Sequence, residues 1–498
     1  MLTRRRFVGY SALSSAMAAC PPLLRRGFAQ AEHPLRLAIL GSVYRHGSNL
    51  QTIADRFLVG YPYEGDWHMP SVQVVSMYVD QRTRRADARP SDFAMAMSGA
   101  TRQQGGGQGG PRVQGAQGTQ GGTRSGTQQT GAMQPPPVSQ GAQLPQRFVP
   151  QTPEDSGPGS DLSVARSQQF GFRLSANIPD ALRCGGDRIA VDAVLTIVEQ
   201  DDYPINDRGQ ALLPTYDFFQ QCAQVFEEER RSVPYFNHNR LSFSFSEAKE
   251  MVATAERLKT PFMAGSSMAV TWRLPDVDIP LGSRVQEAVM VGVGGFDGMD
   301  FDALEAMQAM LERRKGGETG VKAVQLLEGD DVWAAGKAGR WSNDLLSSAL
   351  SRSDTPLGLT VLDGRTQDLA APGVLPQLVK DPAAYCIEYT DGTRATLLML
   401  NGAIEDFNIS ARVEGYGLVS TQFFMTPPPN QTHSACLAAK IEQMFQTRSS
   451  PYPVQRTLLT TGVLEACLNS RHRLNLRLET PHLGLSYQPP PDSQYARS

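Results

Sequence analysis

A glycine-bounded turn is the first stretch whose residue types suggest chemistry. Gly41 to Gly47 lies between an apolar run and a helical pattern, the position at which a Gly-x-Gly-x-x-Gly turn brings bare backbone against a pyrophosphate. Val43 to His46 stand where the motif has its inner glycine. The turn therefore lies at the expected place in the chain but lacks the glycine spacing of the motif. Arg45 and Ser48 could still meet a phosphate. Dinucleotide binding and a purely structural turn both remain open for this segment.

Acidic residues follow two predicted strands. Asp80 comes directly after Val72 to Val79, where an acid accepts hydrogen bonds from an adenosine ribose. An ordinary aspartate in a turn is the alternative. Glu199 opens the polar run that ends at Pro204, at the strand edge where such sheets bind ligands. A solvated loop is the alternative for that run.

Cysteine and histidine spacing favours neither a disulfide framework nor a metal site. Beyond Cys20 the five cysteines are widely separated, with no Cys-x-x-Cys, and the seven histidines form no His-x-x-x-His pair. A metal-dependent hydrolase therefore has little support from the sequence.

The first 31 residues are typical of a twin-arginine export signal. Arg4-Arg5-Arg6 precedes the weakly apolar stretch Val8 to Ala19, and Ala29-Gln30-Ala31 has a small-x-small cleavage pattern. The apolar stretch is shorter than the roughly 20 residues that span a bilayer. We therefore expect the twin-arginine translocase as a partner and a periplasmic location. Alternatives are a merely basic N-terminus or, less favoured, a lipid anchor on Cys20.

Composition describes a globular chain with one biased segment. The 498 residues contain 47 Lys and Arg against 50 Asp and Glu, and 40% are hydrophobic. This balance of charges argues against electrostatic binding of nucleic acid or of an anionic membrane along the whole chain. Residues 101–147 contain 12 Gly and 12 Gln, a composition that predicts disorder. No later stretch is apolar enough to span a membrane.

The pattern around this segment predicts one interrupted α/β domain. A strand at 36–40, a helix from Leu50 to Leu58 and the strand Val72 to Val79 precede it. A helix at 161–169, a strand at 191–198, a helix at 216–230, a strand at 234–236, a helix capped by Ser246 and a strand at 261–265 follow it. We therefore predict a Rossmann-type, doubly wound parallel sheet over 33–266, with an insertion at about 85–160.

Beyond about Ser267 the pattern changes to a sheet that is mostly antiparallel. Strands are predicted at 285–293, 323–327, 385–389, 395–400, 409–413 and 419–424, and helices at 301–312, 435–445 and 454–470. The fold class is therefore α/β followed by an open-sheet α+β domain over 267–487, with a tail at 488–498.

In this order of elements, and in local stretches such as Val233 to Ser267, the chain resembles the glucose–fructose oxidoreductase, inositol dehydrogenase and rhizopine-catabolism (Gfo/Idh/MocA) family. The resemblance runs from about Leu35 to Tyr487, apart from the insertion. It implies a domain that binds NAD or NADP and a second domain that carries a sugar site. It also implies that copies pair as a homodimer or higher homo-oligomer through an exposed face of the second sheet.

Two family motifs are altered in this chain. The run His238-Asn239-Arg240 matches the family's Glu-Lys-Pro, so Asn239 stands where a Lys contacts substrate and nicotinamide. Asp302 stands most nearly where a His acts as acid and base on the sugar hydroxyl. Aspartate has an ordinary pKa near 4 and suits that role only if burial raises it.

The resemblance therefore implies an exported oxidoreductase that transfers hydride at a carbinol carbon. Asn239 and Asp302 are the predicted catalytic residues. Gly41, Arg45, Gly47, Ser48, Asp80 and Glu199 are predicted to bind the cofactor. An aromatic side chain beside an arginine commonly holds a sugar, so Trp272 and Arg273 are predicted to bind substrate, with a structural pair as the equal alternative. The competing hypothesis is a catalytically degenerate member that binds a carbohydrate or a protein partner without redox turnover.

Overall fold

A computed structural model describes residues 34–82, 160–428 and 430–497. The predicted export signal and the Gly/Gln-rich segment at 101–147 lie outside these residues. Within the described ranges, no helix is long and apolar enough to cross a membrane. The same ranges contain no group of three His, Cys, Asp or Glu side chains placed to hold a metal ion.

The first sheet has six parallel strands in the order β5-β4-β1-β6-β7-β8. This order winds outward in both directions from β1 and β6, which is the doubly wound arrangement that the sequence predicts. Its strands are β1 (Leu35–Gly41), β4 (Val72–Val79), β5 (Arg173–Leu174), β6 (Ala193–Ile197), β7 (Tyr235–His238) and β8 (Phe262–Gly265). The strands β4 and β5, on either side of residues 83–159, pair directly in this sheet.

Five helices and a small hairpin accompany this sheet. The helices are α1 (Asn49–Val59), α2 (Ser163–Phe170), α3 (Ile178–Arg183), α4 (Thr215–Glu229) and α5 (Phe245–Arg257), and the hairpin is β2 (Tyr61–Tyr63) with β3 (Asp66–His68). The helix α1 buries Leu50, Ile53 and Phe57 on one face, as its periodicity predicts. The predicted cap of α5 was wrong: Ser244 is the N-cap residue, and Ser246 lies inside the helix.

The second sheet is mixed and has eight strands in the order β16-β11-β12-β13-β10-β14-β15-β9. Only β10 and β13 pair in parallel, which agrees with the predicted antiparallel character. The strands are β9 (Arg273–Leu274), β10 (Val285–Gly292), β11 (Val321–Glu328), β12 (Ala383–Tyr389), β13 (Arg394–Met399), β14 (Phe407–Val413), β15 (Gly417–Phe423) and β16 (Leu478–Glu479).

Seven helices complete the second half of the described chain. They are α6 (Met299–Leu311), α7 (Asp330–Lys337), α8 (Asn343–Leu350), α9 (Leu359–Asp363), α10 (Val374–Leu378), α11 (His433–Thr447) and α12 (Gln455–His472). The sequence predicts α6, α11 and α12 but not the four short helices between β11 and β12. The helix α11 packs on the first domain, where Leu437, Ile441 and Phe445 join the core around Ile53 and Phe57.

Helices cover both faces of the second sheet. Tyr385 and Cys386 are neighbours in β12 and point to opposite faces. The Tyr385 hydroxyl donates to Asp300 of α6, while Arg340, between α7 and α8, interacts with Cys386 on the other side. The expected bare sheet face is therefore absent from the described chain, because its own helices α7 and α8 cover it.

Candidate active site

A cleft lies between the carboxyl edge of the first sheet and the start of α6. We call it the central cleft. It is lined by Asn49, Ile53, Val198, Glu199, Gln200, Ala211, Leu213, His238, Asn239, Arg240, Ser267, Asp297, Gly298, Met299, Asp302, Met425, Gln431, His433 and Ser434. Both predicted catalytic residues are in this lining, and ligands of doubly wound sheets bind at this edge.

Asn239 and Asp302 are in direct contact. Asn239 Nδ2 donates to Asp302 Oδ1 across 3.3 Å, and the backbone N–H of Asn239 is held by the carbonyl of Gly265 at 3.0 Å. Asn239 has a φ of 66°, a left-handed conformation that asparagine tolerates better than most residues. The start of α6 is fixed by Asp300, whose carboxylate accepts from the N–H groups of Asp297 and Gly298.

Burial raises the pKa of Asp302 to about 7. The hydroxyl of Ser266 opposes this shift by donating to the carboxylate, and the nearby charge of Asp300 adds to it. Asp302 is only partly exposed to the cleft. A carboxyl group with a pKa in this range can both accept and return a proton near neutral pH. Burial thus raises the pKa of Asp302 as the acid and base role predicted from the sequence requires.

A second carboxyl group lies behind Asp302. Glu305, one turn further along α6, accepts from the backbone N–H of Ser266 at 2.5 Å and from the Thr457 hydroxyl at 2.5 Å. Burial raises its pKa to about 7 as well. Gly265 packs so closely on Glu305 that a Cβ would lie 2.5 Å from its carboxylate. Ser266 therefore bridges two carboxyl groups that burial disfavours in their charged forms.

An ion pair holds one wall of the cleft. Arg240 contacts the Asp297 carboxylate twice, at 2.7 and 2.8 Å, and donates to the carbonyl of Ala211 at 3.2 Å. Both side chains are almost completely buried. Burial raises the pKa of Asp297 to about 6, although the arginine opposes the shift. The only arginine of the cleft lining is thus bound to an acid, and that lining contains no lysine.

Besides the Arg240–Asp297 ion pair, two cleft residues have polar atoms that no described group satisfies. His238 Nδ1 and Gln200 Oε1 are buried and lack a hydrogen-bond partner within the described part of the chain. Burial lowers the pKa of His238 to about 4, so the imidazole is neutral at neutral pH. The sequence argument left both out as functional residues. The available signal was their position at the carboxyl ends of two strands: His238 is the last residue of β7, and Gln200 follows the end of β6 by three residues.

The predicted phosphate turn forms the adjoining part of the sheet edge. We call Gly41–Ser48 together with Asp80, Gln81 and Glu199 the Gly41 edge. Gly41 allows α1 to approach, since a Cβ there would lie 2.4 Å from a Leu50 methyl carbon. The Ser48 hydroxyl caps α1 by accepting from the N–H groups of Arg45 and Gln51. Gly47 adopts a φ of 79° and donates its N–H to the Gln51 side chain.

A carboxylate of the chain itself lies on the amino end of α1. Glu199 Oε1 accepts from the backbone N–H of Leu50 at 3.3 Å, and Asn49 also donates its N–H to this carboxylate. Burial raises the pKa of Glu199 to about 7, in spite of these two hydrogen bonds. The loop after β6 is fixed further because the Ser42 hydroxyl donates to the carbonyl of Glu199 and accepts from its N–H.

Arg45 and Asp80 also have partners from the loop after β6. Arg45 forms a largely buried ion pair with Asp201. The Tyr203 hydroxyl donates to Asp80 across 2.7 Å, and the Tyr78 hydroxyl donates to the other oxygen of the same carboxylate at 2.7 Å. Asp80 itself is exposed. All six predicted cofactor residues therefore lie together at the Gly41 edge.

The donor set at this edge fits a dinucleotide only after the loop moves. The amino end of α1 already binds an anion, the Glu199 carboxylate, and buried Arg45 Nε has no partner among the described groups. A pyrophosphate needs the same N–H groups, and a ribose needs the Asp80 oxygens. Phosphate and ribose thus fit these residues, in competition with the side chains of the loop.

Trp272 and Arg273 do not line the central cleft. The Arg273 side chain is fully buried, pairs with Asp278 at 2.6 Å and lies 3.9 Å from the centre of the Tyr495 ring. Trp272 packs edge-on against Phe424. These contacts agree with the alternative that Trp272 and Arg273 have a structural role. Both residues line a separate pocket beside Phe424 and Arg497, so their substrate role stays a prediction that the central cleft does not support.

Comparisons with known proteins give similar structures but no similar sequences. No family model matches, and no curated protein matches. GenD2 from gentamicin A biosynthesis, solved in complex with NAD, is 11% identical, with 90% of this chain and 96% of that chain covered and a TM-score of 0.47.

Two further structures are similar over comparable lengths. Myo-inositol 2-dehydrogenase from Lactobacillus plantarum is 11% identical over 90% of this chain and 99% of its own, with a TM-score of 0.42. Aldose-aldose oxidoreductase from Caulobacter crescentus, complexed with glycerol, is 12% identical, with 90% of this chain and 100% of that chain covered and a TM-score of 0.39. The similar structures are thus inositol dehydrogenases and related oxidoreductases. None of their activities transfers to this chain at such identity.

Proposed function

We propose that the chain is a divergent oxidoreductase of the Gfo/Idh/MocA kind. It binds NAD or NADP at the Gly41 edge and a polyhydroxylated, sugar-like substrate in the central cleft, and hydride is transferred at a carbinol carbon. The observation that carries this proposal is Asp302. A carboxyl group with a pKa of about 7 faces a cleft at the carboxyl edge of a doubly wound sheet, hydrogen-bonded to Asn239.

Asp302 and the polar residues around it have distinct roles in this proposal. Asp302 accepts the proton of the substrate hydroxyl during oxidation and returns it during reduction. Asn239 orients Asp302 through the 3.3 Å hydrogen bond and supplies no charge. His238 and Gln200 have unsatisfied buried atoms that suit hydroxyl groups of the substrate. Ser266 and Glu305 hold Asp302 from behind and are positioning residues.

The proposed cofactor-binding groups are part of the Gly41 edge and do not include the Glu199 carboxylate. The N–H groups at the amino end of α1 and the Arg45 side chain would hold the pyrophosphate, and Asp80 would hold the ribose. When bound, a nicotinamide supplies the hydride acceptor or donor. The protein supplies position and a proton acceptor.

Turnover can be tested directly. The purified protein is mixed with NAD+ or NADP+ and a panel of inositols, aldoses and amino sugars, and absorbance at 340 nm is followed. The proposal expects a rise with at least one polyol, and no rise without it. If absorbance at 340 nm rose with none of the compounds and neither cofactor, the proposed redox function would be contradicted.

A second function is favoured by the carboxylates at the Gly41 edge. Glu199 occupies the amino end of α1 and Asp201 holds Arg45, and the cleft lacks the lysine of the family motif. A chain that kept these contacts permanently would bind a carbohydrate or a partner without redox turnover. A polyol that raises the melting temperature while no nucleotide binds would support this alternative.

We also propose export by the twin-arginine route to the periplasm, on the basis of residues 1–31 alone. A fluorescent reporter carrying these residues is expected outside the cytoplasm, and Arg4→Lys with Arg5→Lys is expected to retain it inside. Equal export of both reporters would contradict the proposal. Labelling with a radioactive fatty acid, with Cys20→Ala as the control, tests the lipid-anchored alternative.

A further inference from the structure

One short loop of the first domain contacts Arg45, Asp80, Gln81 and the amino end of α1. The segment Glu199–Tyr203, called here the β6 loop, follows strand β6 directly. Its first residue holds the amino end of α1 through the Glu199 carboxylate. Its third, Asp201, pairs with Arg45. The loop thus satisfies the helix and the arginine that would bind a pyrophosphate.

The last residues of the β6 loop contact Asp80, which is predicted to bind the ribose, and its neighbour Gln81. The backbone N–H of Asp202 donates to the Gln81 side chain at 3.1 Å, and the Tyr203 hydroxyl donates to Asp80 at 2.7 Å. Gln200 stiffens the loop because its amide donates to the carbonyls of Asp201 and Tyr203. Three of the loop's contacts, those of Glu199, Asp201 and Tyr203, therefore coincide with groups that a dinucleotide requires.

We propose that the β6 loop is an internal competitor of the dinucleotide, and that NAD(P) binds by displacing it. This inference rests on the proposed function and names the event that loads the cofactor. In the exchange, one anion replaces another on α1: the pyrophosphate takes the N–H groups that Glu199 releases. Arg45 exchanges Asp201 for a phosphate oxygen and gains a partner for its unsatisfied Nε.

The contacts suggest a loop that is held but can be released. A carboxylate on a helix amino end gains from the helix dipole, yet burial of Glu199 offsets this gain and keeps its pKa at about 7. Tyr203 and Asp80 meet in a partly exposed place, where a hydrogen bond adds little stability. A pyrophosphate carries more charge than one carboxylate and competes for the same donors.

Neutralising Glu199 tests the competition. The variant Glu199→Gln keeps the shape but weakens the hold on α1, because charge-assisted hydrogen bonds are about twice as strong as neutral ones. We expect NADH or NADPH, titrated by fluorescence, to bind about tenfold more tightly, a change of about 1.4 kcal/mol. Asp201→Asn should act in the same direction if Glu199→Gln folds poorly.

The matched control is Glu229→Gln. Glu229 also accepts a backbone N–H, that of Ile189 at 2.6 Å, but it lies at the end of α4, away from the Gly41 edge. Its substitution should leave nucleotide affinity unchanged. Hydrogen exchange supplies a readout independent of affinity: amides of residues 200–203 should exchange faster when NADH is bound to the wild-type protein.

The outcomes separate this inference from the proposed function. Tighter binding by Glu199→Gln together with faster exchange in the loop supports both. Nucleotide binding with equal affinity in wild type, Glu199→Gln and Asp201→Asn, and with an unchanged loop, overturns the competition and leaves the redox function standing. No binding by the wild type or by either variant overturns both, and supports the binding protein instead.

Discussion

The Gly41 edge and the central cleft adjoin each other at Glu199, yet they satisfy their polar groups differently. At the Gly41 edge, Arg45, Asp80 and the amino end of α1 are bound by the β6 loop. In the cleft, His238 and Gln200 keep buried atoms without a partner among the described residues. Unsatisfied buried atoms cost free energy unless a ligand binds them.

This difference indicates how binding would differ at the two regions. The cleft offers vacant hydrogen-bonding groups, so a ligand adds contacts there without breaking any. The Gly41 edge has one such group, Arg45 Nε, but its other groups must exchange contacts, so a ligand there gains mainly the difference between its own interactions and those of the loop. Substrate affinity and cofactor affinity are therefore expected to respond to different substitutions, except at Gln200, which belongs both to the cleft and to the β6 loop.

The largest expected effect is in the cleft. Asp302→Asn removes the proton acceptor while keeping the size of the side chain, and we expect turnover to fall by about 10²- to 10⁴-fold. Substrate and nucleotide affinities should change only a few-fold. Asp344→Asn makes the same change on exposed α8 and should not affect turnover. If Asp302→Asn kept most of the activity, another group would have to move the proton.

The next effect concerns the cleft wall. Arg240→Gln leaves Asp297 buried without its arginine, and we expect a loss of about 3–5 kcal/mol in the free energy of unfolding. Denaturant titration measures this loss. The double variant with Asp297→Asn should recover part of it, because the uncompensated charge is gone. Equal stability of the two variants would mean that the pair does not hold the wall.

A smaller effect should follow from adding the missing ammonium. In the wild type, the oxidation rate should rise with pH and reach half its maximum near 7, since only ionised Asp302 accepts a proton. Asn239→Lys places a cation beside it, and we expect the midpoint to fall by about one pH unit. Asn239→Gln adds no charge at the same left-handed position and should leave the midpoint in place. Identical profiles for both variants would remove Asp302 as the titrating group.

The smallest effect is expected at the Gly41 edge. Tyr203→Phe removes one hydrogen bond between the β6 loop and Asp80, and nucleotide affinity should rise about threefold, because this bond lies in a partly exposed place where its net contribution is small. Tyr78→Phe removes the other bond to Asp80 without freeing the loop, so affinity should not rise. Fluorescence titration distinguishes the two. An equal rise in both would attribute the effect to Asp80 alone.

The architecture follows from local patterns, which explains how much of it the sequence predicts. Strands β1, β4, β6, β7 and β8 are short apolar runs, and α1 and α4 have apolar residues at helical spacing. The helices α7 and α8, of eight residues each, and the shorter α9 and α10 were not predicted. Such elements gain their stability from packing on the sheet rather than from their own sequence.

The site was predicted in its positions but not in its contacts. Asp80 and Glu199 follow strands whose ends could be located, so their place at the sheet edge was correct. The contacts of the β6 loop join residues far apart in sequence, 149 positions for Glu199 and Leu50, which no local pattern reveals. The contact of Arg273 with the ring of Tyr495 escaped prediction for the same reason, since Tyr495 lies in the distant tail.

The most direct test of the account is mass spectrometry of the small molecules released when the protein, purified from its native host, is denatured. The account predicts NAD or NADP near one molecule per chain, or, if it is lost in purification, saturable binding of added nucleotide that Glu199→Gln tightens. Release of no nucleotide, together with no binding by wild type or by Glu199→Gln, would contradict the redox function and assign the central cleft to a binding protein.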